Sequence, residues 1–457
     1  MPGSGTPPSP ALITRQKSAI GLRILLACEF YFPSVGGVQE VMRQLAERFV
    51  ARGHEVTVVT SFLASRQART LNGVRIVEFR ISGNFVSGLS GDVEHYQRYL
   101  LGTDFDVLMV KAAQQWTFDA LIPVLDRIVQ PKVFIPCGFS ALYEPAYADY
   151  FRRMPEWLRR FDRLIFYASN YRDINFAREH GLTGLTVIPN GASEREFNVV
   201  PDQGFRARHR IPEDAFVMLT VGSVTGMKGH LELASAFERC DFGDRQAVLI
   251  LNGTVPVHSR ERWGPLIRRR RQQGLLRTVK AVMRQLLLML RLRGVLRTLS
   301  YRISPADDVR DSVAKINSSN SNRRAVLVDL PRSELLQAYL NSDLFVFASS
   351  IEYSPLVLYE AAAAGLPFLS GSVGNAAEIA QWTGGGIVID APQDSRGYTH
   401  VDPNILAKEI ANLAAHPAEL ARLRARGRSS WEQRFTWDRI AALYENVFES
   451  CISEVRI

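Results

Sequence analysis

The sequence predicts an α/β protein built from two doubly wound, Rossmann-like domains that face each other across a cleft. Three observations lead there. The first ordered stretch, LRILLACEFYFPSVGGVQEVMRQLAERFVARGHEVTVVTS, reads as an apolar strand, a loop with Gly36 and Gly37, an amphipathic helix and a second strand. Such a βαβ unit implies a parallel sheet. Further apolar runs of strand length recur, each closed by a polar or glycine-rich turn and most separated by helical spacing. Near Phe197 to Pro212 (FNVVPDQGFRARHRIP) the periodicity lapses, and a second series of the same kind begins.

In the first series the strands are DVLMVKA, KVFIPCG, RLIFYAS and LTVIPNG. In the second they are AFVMLTVGS, QAVLILNGT, AVLVDLP, DLFVFASS, PFLSG and GGIVID, with helices near Leu231 to Arg239, near Ser333 to Asn341 and from Pro355 onward. The predicted division is a tail over 1–18, a first domain over 19–200, a second over 205–436 with an insert at 255–325, and a closing helix from Trp437 that packs back on the first domain. A ligand cleft is expected at the carboxyl ends of both strand sets.

Composition narrows the function classes. The chain of 457 residues has no apolar run long enough to span a bilayer, and its Pro- and Ser-rich start lacks the apolar core of a signal peptide. A cytoplasmic protein is the expectation. Its four cysteines, Cys28, Cys137, Cys240 and Cys451, have no paired spacing, which argues against a disulfide framework and a zinc site. The net charge of +9 is local: Val257 to Arg302 holds thirteen Lys or Arg against Glu261 alone, so the rest of the chain is slightly acidic. No Gly-x-Gly-x-x-Gly turn follows the first strand, and in GSVTGMKG the glycine spacing is wrong and Gly229 follows the lysine, so a nicotinamide site and a P-loop are both set aside.

The stretch SSIEYSPLVLYEAAAAGLPF, residues 349–368, carries the chemistry. Pro355 suits the first helical position and Ser354 can cap it, which places Glu352 ahead of the helix and Glu360 on its second turn among apolar neighbours. A carboxylate there is costly unless something polar holds it. The amides of Leu356, Val357 and Leu358 lie at the helix's positive end and make a site for a diphosphate, to which Lys228 adds a charge-assisted contact. Glu360 then stands where a ribose diol would reach it, and Glu352 beside whatever the diphosphate carries. Together these residues describe a nucleotide-sugar site.

The motifs YFPSVGGVQE, VIPNG, VGSVTGMKG, NSDLFVFASS and IEYSPLVLYEAAAAGLPFLSGSVGNAAEI stand in an order that resembles the retaining glycosyltransferases of family four, which have the two-domain GT-B fold. The resemblance spans residues 21–253 and 325–450. It implies an acceptor-binding first domain and a donor-binding second one. It also implies that Glu352 contacts the donor sugar's hydroxyls, that Glu360 binds the ribose, and that Lys228 neutralises the diphosphate. Gly37, beside Gly36, would let the backbone approach donor and acceptor. Gly36 and Gly37 as a plain tight turn, and Lys228 and Glu352 as solvated loop residues, are the competing readings. Asn190, with Gly191, reads as a turn near the site. No cofactor or metal is implied, and the pair Asp104 and Asp106 reads as the start of a strand rather than a cation site.

Two departures from the family pattern stand out. Ser223 replaces an arginine that in many members helps the lysine hold the diphosphate, and Cys137 replaces a histidine near sugar and acceptor. Ser223 stays among the expected donor-binding residues, with the phosphate charge met by Lys228, the helix amides or another basic residue, whereas the histidine's role does not transfer to Cys137. Cys137 has no histidine nearby in sequence to activate it as a nucleophile. In the implied mechanism the acceptor hydroxyl attacks from the side the diphosphate leaves, and the leaving phosphate takes the proton.

Within the insert, Arg277, Lys280, Arg284 and Arg291 fall on one helical stripe and Leu275, Val279, Val282, Leu286 and Leu290 on the other face. This cationic amphipathic helix either lies at an anionic membrane surface, as suits a lipid-linked acceptor, or packs on protein. Nucleic acid is not expected, since the basic stripe has almost no aromatics. The following DSVAKINSSNSNRR reads as a polar loop. The expected function is transfer of a sugar from a nucleotide diphosphate to a glycan or lipid-linked acceptor in cell-surface polysaccharide or lipopolysaccharide assembly, at the inner face of the membrane. A catalytically weak nucleotide-sugar-binding scaffold, or an epimerase on the same architecture, are the alternatives.

Overall fold

β1 (Arg23–Ala27) stands inside an eight-stranded sheet in the computed structural model, which describes residues 21–255, 305–319 and 322–455. On one side lie β2 (Glu55–Ser61), then β4 (Val74–Phe79), with β3 (Thr70–Leu71) at the edge. On the other lie β7 (Val107–Lys111), β8 (Lys132–Ile135), β9 (Arg163–Phe166) and β10 (Leu185–Val187). Every pairing is parallel except that of β3 with β4. A separate short hairpin joins β5 (Ile81–Ser82) and β6 (Ser90–Gly91). β1 joins β2 through the helix α1 (Gly37–Ala51), whose Val41, Met42, Leu45 and Phe49 are buried against the sheet.

The second sheet holds β11 (Phe216–Val221), β12 (Ala247–Asn252), β13 (Arg323–Val328), β14 (Leu344–Phe347), β15 (Phe368–Gly371) and β16 (Gly386–Ile389). Its order is β13-β12-β11-β14-β15-β16, all parallel. Both faces are covered, which is why β7 and β14 read as unbroken apolar runs with no polar alternation. The strand order reverses between β11 and β14. In an open parallel sheet the crevice outside the carboxyl ends at such a reversal is where ligands bind.

Five helices of the second domain matter below: α2 (His230–Arg239), α3 (Pro305–Ser318), α4 (Arg332–Leu340), α5 (Leu356–Ala363) and α6 (Ala376–Thr383). The closing helix α7 (Trp437–Val455) returns to the first sheet. Its Trp437, Ile440, Tyr444 and Phe448 share a core with α1 and β1, and Glu445 pairs with Arg52 at 2.6 Å and His54 at 2.7 Å.

Two expectations need correction. Residues 305–318, part of which the sequence suggested to be a loop, form α3, because Ala306, Val309 and Ile316 recur at helical spacing and are buried beside α2 and β13. The helix that follows Glu352 begins at Leu356. Pro355 is its cap, in an extended conformation (φ −68°, ψ 115°), and no side chain caps it, the Ser354 hydroxyl being turned to the Tyr359 hydroxyl instead. The basic amphipathic stretch 275–291 and the tail 1–18 lie outside the described residues. Among those described, no helix is long and apolar enough to cross a membrane.

Candidate functional site

β11 ends at Val221 and β14 at Phe347, and the loops that follow them meet at the strand-order reversal. They are stitched together. The carbonyl of Met227 accepts the Ser350 amide at 2.9 Å and lies 3.0 Å from the Ser349 hydroxyl. Gly229 then opens α2 with φ 72°, and a Cβ there would stand 2.1 Å from the Ala348 carbonyl oxygen, so this close crossing admits only glycine.

The consequence is that Lys228 and Glu352, distant in sequence, form an ion pair, with Ser349 Oγ 3.1 Å from the same Glu352 oxygen. The lysine is 28 % exposed and the glutamate 15 %, so both remain open to the crevice while sheltered enough for their charges to matter. A nearby cavity of about 320 Å³ opens at the ends of β12 and β13, lined by Val255, Arg310, Val313 and Asp329 among others, and includes neither residue of the pair.

Glu360, on the second turn of α5, is also held. Its Oε1 lies 2.6 Å from Arg332 Nη2, and its Oε2 accepts the buried Tyr339 hydroxyl at 3.0 Å. Arg332 is shared with Glu196 at 2.8 Å. Burial works against the guanidinium's charge, but the two carboxylates outweigh it and hold its pKa above the ordinary value. Arg332 and Tyr339 were not foreseen. The signal for the first was the demand of a carboxylate in an apolar helix for a cation; nothing in the sequence singled out Tyr339.

Of the three α5 amides read as a diphosphate site, that of Leu358 already donates to Pro355 O at 3.3 Å, a tightening of the first turn that removes it from the set. Leu356 and Val357 remain at the helix's positive end. Gly37 opens α1 directly across the cleft: a Cβ on it would meet nothing nearer than Leu356 Cδ1 at 4.0 Å. On Gly36 a Cβ would meet only the flexible end of Gln39, so the fold itself demands glycine at neither position. Asn190 is buried and its amide donates to Ser354 O at 3.2 Å, which braces the loop before α5. Ser223 is exposed, on the turn after β11.

On the first domain's side, Cys137 follows β8 with φ 64°, and burial pushes its thiol pKa up, which suits an inert position. Asp104 and Asp106 both pair with Arg23, and among the described residues no cluster with metal-ligand character exists. Glu29, at the end of β1, went unnoticed in the sequence. Burial pushes its carboxyl up to about 7, with the Trp116 N–H opposing and Asp119 adding to the shift.

Two family models match the chain: Glycosyltransferase Family 4 over residues 35–195 and Glycosyl transferases group 1 over residues 317–424. No curated protein matches closely enough to count as a relative. Among solved structures, the chain is similar to sucrose-phosphate synthase from Thermosynechococcus elongatus (TM-score 0.64, 18% identity, covering 95% of this chain and 100% of that one). It is also similar to Anabaena HepE in complex with UDP and glucose (0.63, 13%, 94% and 100%) and to WaaG, a glycosyltransferase involved in lipopolysaccharide biosynthesis (0.57, 16%, 93% and 99%). At these identities the structures speak for the fold. With one family model on each side of the cleft, the chain belongs to the group 1 glycosyltransferases of GT-B fold.

Proposed function

We propose that the protein is a retaining, metal-independent glycosyltransferase that moves a sugar from a nucleotide diphosphate donor to a glycan or lipid-linked acceptor in cell-surface polysaccharide or lipopolysaccharide assembly. The single observation that carries this reading is the Lys228–Glu352 ion pair at the strand-order reversal of the second sheet. It sets a cation and a carboxylate side by side where a diphosphate and its sugar would lie.

In this reading Glu360 accepts the two ribose hydroxyls through the lone pairs that Arg332 and Tyr339 leave free. The Leu356 and Val357 amides and Lys228 face the diphosphate, while Glu352 turns from the lysine toward the sugar's hydroxyls. The acceptor oxygen forms its bond to the anomeric carbon on the face from which the diphosphate oxygen departs. The acceptor's proton passes to that departing phosphate oxygen, so no protein base is needed. Lys228 stabilises the charge that grows on the leaving group, and Glu352 fixes the sugar's orientation. The open space at Gly37 admits the sugar against the backbone.

Structures of a similar protein with UDP and UDP-glucose make uridine diphosphate sugars the first donors to try, and WaaG's stated process supports the lipopolysaccharide setting. Donor turnover, followed as released nucleotide with UDP-, GDP- and ADP-sugars, tests the enzyme reading. Release that depends on Lys228, with a product of unchanged anomeric configuration, is expected. Nucleotide binding without turnover of any donor would favour the scaffold reading, and a free isomerised donor would make the protein an epimerase.

A further inference from the structure

The loop that carries Glu352 is held from the first domain as well as from its own. Tyr353, the next residue, sets its ring between Tyr167 and Tyr171, with centroids 5.4 Å and 4.8 Å away. Its hydroxyl accepts the Tyr167 amide at 2.9 Å and is hydrogen-bonded to the Asp173 carboxylate. The Tyr171 hydroxyl donates to the Glu352 carbonyl at 2.7 Å. From the second domain, the Asn375 amide holds the Tyr353 carbonyl at 2.9 Å while its side chain reaches Tyr167 O at 2.9 Å.

The socket for this ring has an unusual backbone. Cys137, Gly138 and Phe139 are three consecutive left-handed residues (φ 64°, 85° and 47°), two of them not glycine. Such strain persists only where surrounding contacts enforce it. Here they do: a Cβ on Gly138 would stand 2.9 Å from Tyr353 Cγ, and the Gly138 amide is tied to Asp173 at 2.8 Å. The loop after β8 is shaped around Tyr353.

We propose that Tyr353 is a positioning residue, a key seated in the socket of Gly138, Tyr167, Tyr171 and Asp173, through which docking of the first domain places Glu352 against Lys228. This rests on the assignment of Glu352 to the donor sugar. In the same reading the nucleotide is held by Glu360, Arg332 and the α5 amides, and Tyr339 and Glu196, which hold Glu360 and Arg332 in place, are not residues of the socket. Unseating Tyr353 therefore separates two properties that damage to the donor site itself would lose together: the nucleotide still binds, and the bound donor no longer turns over.

The test compares Tyr353→Ala, Tyr353→Phe and Gly138→Ala with the wild type in three measurements: affinity for UDP, GDP and ADP, kcat and KM for donor turnover, and radius of gyration by small-angle X-ray scattering. For Tyr353→Ala, kcat is expected to fall by about tenfold to a hundredfold, since a displacement of about 1 Å at the reacting groups costs that much. Nucleotide affinity stays within about twofold, well under the tenfold worth of 1.4 kcal/mol, and the radius of gyration rises. Gly138→Ala moves the same way, and Tyr353→Phe, which removes one oxygen, loses part of the rate. Unchanged kcat and radius of gyration in a folded Tyr353→Ala, or in Tyr353→Phe and Gly138→Ala should it not fold, overturn the proposal; so does an equal loss of nucleotide affinity and rate. A wild type that neither binds nucleotide nor turns over a donor fails the functional reading instead, and the scattering then decides the key and socket alone.

Discussion

Arg332 Nη2 lies 2.6 Å from Glu360 Oε1, and this contact explains how an otherwise apolar helix tolerates a carboxylate. With Tyr339 on the other oxygen, the charge is paired and hydrogen-bonded, while the side chain keeps 14 % of its surface exposed to the crevice. Truncation to alanine leaves Arg332 its second partner, Glu196, but leaves the buried Tyr339 hydroxyl without an acceptor. Glu360→Ala is expected to cost about 1–3 kcal/mol of stability, mostly through that hydroxyl. Adding Tyr339→Phe should recover part of the loss, and a double-mutant cycle by thermal denaturation reads the coupling.

Gly37 separates fold from function. Because a Cβ there meets only Leu356 Cδ1 at 4.0 Å, Gly37→Ala is expected to leave stability within about 0.5 kcal/mol of the wild type. Donor turnover should fall nonetheless, since the methyl group occupies the space through which the sugar approaches. Melting temperature and donor kinetics check both halves; an unchanged rate would mean that no ligand passes close to this backbone.

For Lys228→Met the expectation is the reverse of a structural residue's. The lysine is partly solvated and Glu352 keeps the Ser349 hydroxyl when the cation is lost, so the melting temperature should fall only modestly. Loss of the cation that faces the leaving diphosphate should lower turnover by about a hundredfold or more, in line with removal of one transition-state charge partner. Steady-state kinetics with the best donor measure it.

Lys111 is a fully buried cation of the first domain, and its ammonium donates to the Tyr167 hydroxyl at 2.7 Å. Burial pushes its ammonium down from 10.5 to about 8. The unfolded chain thus binds the proton more tightly, so stability is lost as pH falls through 10.5 and the full cost is present below about 8. Lys111→Met is expected to be more stable than wild type at pH 7, by up to about 3 kcal/mol, and the gap should narrow between pH 8 and 10. Melting curves across that range decide it, and a gap that ignores pH would show that desolvation is not the cause.

Most strands were legible because parallel strands buried on both faces are unbroken apolar runs, as β11 and β12 illustrate. β4 was missed: VRIVEF lies between β2 and the short edge strand β3, and its Arg75 and Glu78 dilute the apolar signal. α3 was misread for a similar reason, its three buried residues standing among eleven more polar or exposed ones. At the site, Lys228, Glu352, Glu360 and Gly37 could be named because their motifs are local. Arg332, Tyr339 and the Tyr353 socket could not, since each depends on contacts between strand-end loops and helices far apart in the chain. No periodicity encodes such pairings.

Nucleotide binding with and without Glu360 tests the assignment of the crevice most directly. UDP, GDP and ADP are titrated against wild type and Glu360→Ala, with melting temperature as the readout of binding. At least one nucleotide should stabilise the wild type, and its affinity for the variant should fall by about tenfold to a hundredfold, the worth of hydrogen bonds to a charged group. If no nucleotide stabilises the wild type, or if the variant responds as strongly, the donor does not lie on α5 and the site assigned here is wrong.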